Sequence, residues 1–189
     1  MNKTRNTEKG HTVVHILLYA LCVLLVVFYL LVFWWGKNPQ VGMEYRMYYL
    51  THELSDWPGY GNLAYDFGTV EYCTELKDRE NRPVTYKVCQ RKGQGWKEEQ
   101  YDGSVNAGRE SFIYYRMNTQ KQNPILRINI KTFSGEGDVS VYAGDQLIGT
   151  FDKAGDYQYQ MDKVEQNELL TIRFVAEGCT FNLWSIEIN

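Results

Sequence analysis

The chain has 189 residues, a formal net charge of −3 and a high aromatic content of 15%. The mildly acidic balance argues against nucleic acid as a partner, because binding to phosphate backbones relies on an excess of Lys and Arg. About 150 residues follow the first apolar run, which is enough for one domain with its own core and without a disulfide framework.

The first predicted element is a transmembrane helix over residues 13–35. The run from Val13 to Trp35 contains no charged residue. At about 1.5 Å rise per residue, roughly 23 residues cross a hydrocarbon core of about 30 Å. The run is longer than the apolar core of a secretory signal, and it ends in Trp34-Trp35-Gly36 without a small-residue cleavage triplet. The sequence therefore favours an uncleaved signal anchor over a cleaved signal peptide, and it makes the membrane itself a partner.

The tail over residues 1–12 predicts the orientation of this helix. It carries Lys3, Arg5 and Lys9 against the single acidic residue Glu8. Under the positive-inside rule such a tail stays in the cytoplasm. We therefore predict a single-pass protein of the cell membrane, with its N-terminus cytoplasmic and its C-terminal domain extracytoplasmic.

A linker and stem are predicted over residues 36–61. Four apolar residues recur at spacings of four, three and four, which is typical of a helical stripe: Met43, Met47, Leu50 and Leu54. An irregular strand is the alternative. The stretch from Ser55 to Gly61 is rich in turn-forming residues and ends the stem.

Residues 62–189 are predicted to form a β-sandwich domain. Short runs rich in β-branched and aromatic residues alternate with turns, and no long helix falls between them. The predicted strands are Leu63–Leu76, Val84–Arg91, Ser111–Met117, Ile125–Phe133, Asp138–Tyr142, Gln146–Phe151, Tyr157–Met161, Leu169–Ala176 and Thr180–Ile188.

The strongest strand signals come late in the chain. From Leu126 to Phe133 apolar and polar residues alternate, and Gly144-Asp145 suits a two-residue hairpin turn with Gly at its first central position. The predicted fold class is all-β: an antiparallel jelly-roll β-sandwich preceded by one transmembrane α-helix.

This late pattern resembles galactose-binding-like jelly-roll domains, the architecture of many carbohydrate-binding modules. The likeness is carried by LRINIKTF, GDVSVYAGDQLIGTF, ELLTIRFVAEG and the closing CTFNLWSIEIN. The resemblance implies a sandwich with an inward aromatic on the last strand, which would be Trp184.

A second likeness covers YDFGTVEY from Tyr65, GWKEEQYDG from Gly95 and SFIY from Ser111. It is similar to the β-sandwich domains attached to bacterial membrane glycosyltransferases. Those domains have a second Trp in the turn region, where this chain has Val105-Asn106 instead. The resemblance implies a role beside a membrane glycan-processing enzyme.

Metal and cysteine chemistry is sparse. Cys73 and Cys89 lie in strand-like runs and could form a disulfide in an oxidising compartment; the alternative is that these cysteines are reduced. Their spacing, without a nearby His pair, is not a zinc pattern, so we expect no metal site. The oxygen-rich run Gly135-Glu136-Gly137-Asp138 would suit a structural Ca²⁺, but a hairpin turn explains it more simply.

The sequence predicts no catalytic site. His52 is the single histidine beyond the apolar run. One histidine cannot build a His-based zinc site, and a Ser/His/Asp triad would have to use His52 itself. A glycosidase needs two carboxylates across a cleft, and the acidic residues Glu98, Glu99, Asp102 and Glu110 are more simply explained as solvated turn charges.

Aromatic residues in polar, turn-rich stretches are the candidate ligand-binding residues: Trp57, Tyr60, Trp96 and Tyr101. Aromatic faces stack on the C–H faces of sugar rings, and Tyr and Trp add a polar tip. The alternative for each is that it plugs an end of the sandwich.

Three functions follow in order of preference. The first is a non-catalytic, membrane-anchored β-sandwich that binds cell-envelope glycan or supports a multi-pass membrane glycosyltransferase. The second is a structural or assembly subunit that docks on a multi-pass partner through its anchor, with His15, Tyr19, Cys22 and Tyr29 marking the contact face. The third is an envelope glycosidase.

Overall fold

The computed structural model describes residues 3–37, 40–73, 76–77, 83–84, 91–97, 104–106 and 109–189. The chain divides into two compact units, Met1–Val41 and Gly42–Asn189. The first unit is built on helix α1 (Lys3–Lys37). Within it, Val14–Lys37 is long and apolar enough to cross a membrane, and none of its most apolar window is buried.

The second unit begins with a short helical segment. Helix α2 (Met43–Tyr45) runs directly into a π-helical turn (Arg46–Leu50). Met47 and Leu54 are buried here against Leu63 and Tyr114. The predicted helix is therefore confirmed as far as Leu50, and residues 42–61 belong to the same compact unit as the sandwich.

Ten strands follow in the part of the chain that the structure describes, and eight of them form one sheet. Their bounds are β1 (Ala64–Tyr65), β2 (Val70–Tyr72), β3 (Leu76–Lys77), β4 (Pro83–Val84), β5 (Ser104–Val105), β6 (Glu110–Met117), β7 (Ile125–Ala143), β8 (Gln146–Phe151), β9 (Gly155–Gln160) and β10 (Leu169–Ile188). The main order is β1-β6-β10-β7-β8, with β2 and β5 also paired to β10 and β9 to β7, while β3 and β4 pair with each other. The β1–β6 pair is parallel and the other described pairs are antiparallel.

Two long strands, β7 and β10, form the spine of the domain. They pair with each other from Ile172↔Ala143 to Ile188↔Leu126, with register shifts on the way. One half of the pair is flanked by β8 and β6, and the other half by β9, β5 and β2. The strands therefore pass from one layer of the domain into the other, as strands do at the corner of a sandwich.

Three glycines occupy this corner. Gly135 and Gly178 have φ of +116° and +70°, where L side chains are rarely found. A Cβ on Gly137 would stand 1.5 Å from the carbonyl oxygen of Glu177 on the opposite strand. The backbones of β7 and β10 thus approach each other too closely at the bend for any side chain.

Side chains from both halves of the spine meet in one core. Leu126 and Ile128 from one half of β7 belong to the same buried cluster as Val139 and Val141 from the other half. Because both halves face the same core, the sheet folds over on itself as two packed layers. The predicted fold class, a jelly-roll β-sandwich behind one apolar helix, is confirmed.

Several local predictions are corrected. Ile125–Phe133 and Asp138–Tyr142 are one continuous strand, and Gly135–Asp138 is its bend, so the predicted hairpin turn there is wrong. Leu169–Ala176 and Thr180–Ile188 are likewise joined in β10. The turn at Gly144-Asp145 is confirmed, because β7 ends at Ala143, β8 begins at Gln146 and φ of Gly144 is +58°.

The predicted strand Leu63–Leu76 is interrupted after Tyr65. A turn at Asp66–Thr69, with φ of +81° at Gly68, separates β1 from β2. Most of the predicted strand Val84–Arg91 lies outside the described residues.

Candidate ligand-binding surface

Five aromatic side chains form a continuous cluster on the second unit, which we call the aromatic cluster: Tyr45, Tyr48, Tyr49, Trp57 and Tyr60. The Trp57 ring lies at its centre, with ring centroids 5.5 Å from Tyr49, 5.9 Å from Tyr48 and 5.3 Å from Tyr60. Tyr45 closes the cluster at 4.7 Å from Tyr49. Most of these contacts are edge-on or tilted, an arrangement that aromatic quadrupoles favour and that leaves ring faces free.

The cluster is open to solvent on one side. Tyr60 is 74% exposed and Tyr49 is 49% exposed, and the neighbouring Leu50 is 47% exposed. Trp57 is half-buried between them. The result is a partly solvent-exposed aromatic surface whose tyrosines carry hydroxyl groups, and it is chemically suited to stacking on a sugar ring and hydrogen bonding to its hydroxyls.

Buried polar contacts hold the loop that carries Tyr60. The carboxylate of Glu44, which is 3% exposed, accepts a hydrogen bond from the backbone N–H of Gly61 at 3.1 Å. Asn62 donates from its side-chain amide to the carbonyl of Pro58. The Glu44 carboxylate also lies 3.9 Å from the Arg116 guanidinium on β6, which links the loop to the sheet.

The structure brings Trp57 and Tyr60 together but places Trp96 elsewhere. The Trp96 ring packs edge-on against Phe174 and Phe181, both at 5.9 Å between centroids. Its indole N–H donates to the Phe112 carbonyl at 2.9 Å. These contacts are those of a packing residue beside the core. Tyr101 lies outside the described residues.

Trp184 is half-buried and lies outside the core, so the expectation that Trp184 is the inward aromatic of the last strand is wrong; Phe181 on the same strand is the buried aromatic. The spine changes register between Leu183 and Ser185, which removes Trp184 from the alternation of the strand. Its ring meets Tyr72 edge-on at 6.1 Å and carries the Lys131 ammonium 4.1 Å from its centroid.

The buried polar groups of the domain serve its packing. Arg91 is fully buried and its guanidinium lies 3.0 Å from the Glu71 carboxylate and over the ring of Tyr115. Burial raises the pKa of Tyr115 well above its ordinary value, and burial likewise raises the pKa of Tyr114 to about 12. Both phenols are therefore neutral at neutral pH.

The structure describes one of the four acidic residues that the sequence offered as glycosidase carboxylates. Glu98, Glu99 and Asp102 lie outside the described residues, and Glu110 is exposed beside Arg173 at 3.6 Å. His52 is exposed on the loop after the π-helical turn. Among the described side chains, no three His, Cys, Asp or Glu residues converge as metal ligands would.

An open cavity of about 360 Å³ lies at the glycine corner. Its walls include Arg109, Ser134, Thr180 and Cys179. The Cys179 thiol donates to the Asp138 carbonyl at 3.3 Å, and burial raises its pKa. Cys73 is buried in the core, whereas Cys89 lies outside the described residues, so the Cys73–Cys89 disulfide stays a prediction.

Sequence reasoning missed the three tyrosines of the helical segment as members of the site. The available signal was their position between the apolar stripe residues, because Tyr45, Tyr48 and Tyr49 alternate with Met43 and Met47 around the helix. Residues off a buried stripe face away from it, as Tyr49 does, although Tyr48 also packs against the buried cluster around Met47. The sequence does not show the path of the loop over residues 51–57. This loop brings Trp57 back into contact with the helical segment.

Comparisons with known proteins return likenesses in fold. No family model and no curated protein matches the chain. Among solved structures, it is similar to the CBM36-1 domain of a multidomain xylanase from the hindgut metagenome of Trinervitermes trinervoides, at 14% identity and a TM-score of 0.35, over 64% of this chain and 95% of that one.

It is also similar to a carbohydrate-binding module CBM36 in complex with calcium and xylotriose, at 13% identity and a TM-score of 0.38, over 64% of this chain and 99% of that one. A third similar structure is the module CBM6cm-2 from Cellvibrio mixtus lichenase 5A in complex with cellotriose, at 9% identity and a TM-score of 0.32, over 63% of this chain and 95% of that one. The predicted likeness to carbohydrate-binding modules is thus found at the level of the sandwich, and TM-scores below 0.5 transfer neither a ligand nor a binding site.

Proposed function

We propose that the chain is a single-pass membrane protein whose β-sandwich binds cell-envelope glycan without catalysing a reaction. The observation that carries this proposal is the aromatic cluster, in which the central Trp57 is flanked by the exposed rings of Tyr49 and Tyr60. Exposed large aromatics that cluster, rather than occurring singly, mark binding surfaces.

The chemistry of the cluster suits a carbohydrate better than a protein core. The rings present apolar faces, and the tyrosine hydroxyls can donate and accept hydrogen bonds at the rim. Sugars present the same combination of C–H faces and hydroxyl edges. The preorganised Glu44–Gly61 hydrogen bond lowers the cost of ordering the loop when a ligand binds.

The apolar helix supports a location at the membrane. Val14–Lys37 has the length and mean hydropathy of a span, and the basic tail before it favours a cytoplasmic N-terminus. The sandwich would then be extracytoplasmic, where glycans and the glycosyltransferases that build them are accessible. A multi-pass glycosyltransferase is the enzyme partner we propose.

Binding of glycan by the full chain in lipid nanodiscs tests the proposal. A panel of envelope polysaccharides and short oligosaccharides should include at least one ligand, and Tyr60→Ala should weaken its binding. Loss of a hot-spot aromatic costs about 2 kcal/mol, or roughly 30-fold in affinity. The matched control is Tyr142→Ala, a half-buried aromatic outside the cluster, which should leave the affinity unchanged.

Two results would contradict the proposal. One is the absence of binding across the panel by a folded chain. The other is an equal loss of affinity in both tyrosine variants, because the aromatic cluster would then have no special part in binding. Glycan turnover in the same assay would favour the envelope glycosidase instead.

An assembly role is the second candidate, and the side chains of the anchor favour it. His15, Tyr19, Cys22 and Tyr29 carry polar atoms inside a run that is otherwise apolar, and all four are exposed on α1. Polar groups within a bilayer usually face protein. Stoichiometric co-purification of a multi-pass protein in detergent, lost when the anchor is replaced, would support this role.

A further inference from the structure

A seven-residue repeat runs along α1. Its positions alternate in spacings of three and four, and we call the resulting stripe the seam: Thr12, His15, Tyr19, Cys22, Val26, Tyr29, Phe33 and Gly36. The helix is continuous from Lys3 to Lys37, so no break interrupts the stripe. At about 100° per residue, positions spaced in this way stay on one face of a helix.

The seam collects the polar side chains of the span. His15, Tyr19, Cys22 and Tyr29 all fall on it, and by the same geometry they lie within an arc of about 80°. The side chains of Tyr19 and Tyr29 are 74% and 67% exposed, so the other described residues of the first unit leave both rings uncovered. Leu17, Leu24 and Leu31 lie on the opposite face of the helix, and all three are aliphatic.

Two physical arguments point from this pattern to a partner helix. Polar side chains in hydrocarbon face protein, because lipid tails offer them no hydrogen bonds. A strict seven-residue repeat keeps its stripe facing a partner when two helices supercoil with a left-handed twist. The span has no Gly between Val13 and Trp35, so the close right-handed crossing that Gly-x-x-x-Gly motifs allow is not available.

We propose that the seam is the contact surface for a second copy of this chain, in a parallel transmembrane dimer. The proposal rests on the membrane anchor proposed above. All copies insert in the same direction, so a second copy presents the same repeat in the same orientation and register. Residues of one seam then meet their own counterparts, with His15 facing His15 and Cys22 facing Cys22 near the two-fold axis.

Oxidative crosslinking in membranes tests the dimer with the full chain. Copper phenanthroline should convert the chain to a covalent dimer through Cys22, and Cys22→Ser should abolish this product. In the Cys22→Ser background, Val26→Cys moves the thiol along the seam and Leu24→Cys moves it to the opposite face. We expect at least a fivefold higher dimer yield with Val26→Cys than with Leu24→Cys.

Each other outcome has a defined meaning. Equal yields from positions 24 and 26 indicate random collisions and overturn the dimer. No dimer from a chain that resists carbonate extraction also overturns it, and a stoichiometric different protein on the seam assigns the face to that partner. Release of the chain by carbonate would instead contradict the membrane anchor, so failure of the dimer and failure of the proposed function are distinguishable.

Discussion

The buried ion pair between Arg91 and Glu71 gives the sharpest prediction on stability. Arg91 is fully buried, with its Nε 3.0 Å from one carboxylate oxygen of Glu71 and 3.2 Å from the other. A second guanidinium nitrogen donates to the Ala64 carbonyl at 2.7 Å. Replacement of Arg91 by Met therefore removes the guanidinium from both a buried carboxylate and a part-buried backbone carbonyl.

The expected cost is large. Removing one partner of a buried pair destabilises a protein by about 3–5 kcal/mol, because the remaining charge stays out of water. Arg127→Met is the matched control, since Arg127 pairs with Glu187 at 3.4 Å while its side chain is 41% exposed. Screened pairs of this kind contribute about 0–1 kcal/mol. The double variant Glu71→Met/Arg91→Met should recover part of the loss, because the buried carboxylate is then absent as well.

Urea unfolding of the unit Gly42–Asn189, followed by intrinsic fluorescence, measures these differences. The reasoning would be refuted by an Arg91→Met variant that loses less than about 1 kcal/mol, or by a double variant less stable than the single one. Either result would mean that the pair is solvated in solution and that other contacts hold β2 in place.

Three further predictions concern the same domain. Gly137→Ala should destabilise the domain by about 3 kcal/mol or more, because the new Cβ would collide with the Glu177 carbonyl. Gly144→Ala should cost about 1–2 kcal/mol, because its Cβ meets open space and only the φ of +58° is unfavourable; urea midpoints measure both differences. Tyr114, whose pKa is raised by burial to about 12, should add up to about 1.4 kcal/mol per pH unit to the fall in stability as pH rises from about 10 to 12. Tyr114→Phe should remove this share and leave the slope that other buried tyrosines such as Tyr115 cause; an unchanged slope would contradict the assignment. Trp96→Phe should cost about 1–2 kcal/mol through the lost hydrogen bond to Phe112 while leaving glycan affinity unchanged, and weaker glycan binding by a folded variant would restore Trp96 as a ligand residue.

Periodicity and turn chemistry predicted much of the fold. The apolar run, the alternating strand from Leu126 and the Gly144-Asp145 turn are local patterns, and each is determined by neighbours within a few residues. Gly135 and Gly137 misled the prediction, because a glycine pair marks a hairpin turn and a close approach of two strands equally well. Only the pairing of β7 with β10, at a sequence separation of about 40 residues, distinguishes these possibilities.

The candidate site was only partly predictable for the same reason. Trp57 and Tyr60 are close in sequence, so their shared surface follows from one loop. Trp96 also stands in a polar stretch, yet its ring packs against the edge of the core, on Phe174 and Phe181 of the bent strand β10. Contacts created by a bent strand leave no local signal in composition or spacing.

The two proposed surfaces, taken together, predict a preference for polymers. Five residues lie between Lys37 and Met43, so a fully extended connector reaches at most about 20 Å, and two paired anchors would tether two sandwiches within tens of ångströms of each other. Tethering at that range gives effective concentrations near the millimolar scale and raises avidity by roughly 10²–10⁴ for a ligand that reaches both sites. The full chain in nanodiscs should then bind a long polysaccharide far more tightly than an oligosaccharide of the same sugar. A variant with Tyr19→Leu and Tyr29→Leu should lose that advantage and keep its oligosaccharide affinity. The proposed seam would set how many binding sites are tethered together, whereas the aromatic cluster would contact the sugar itself.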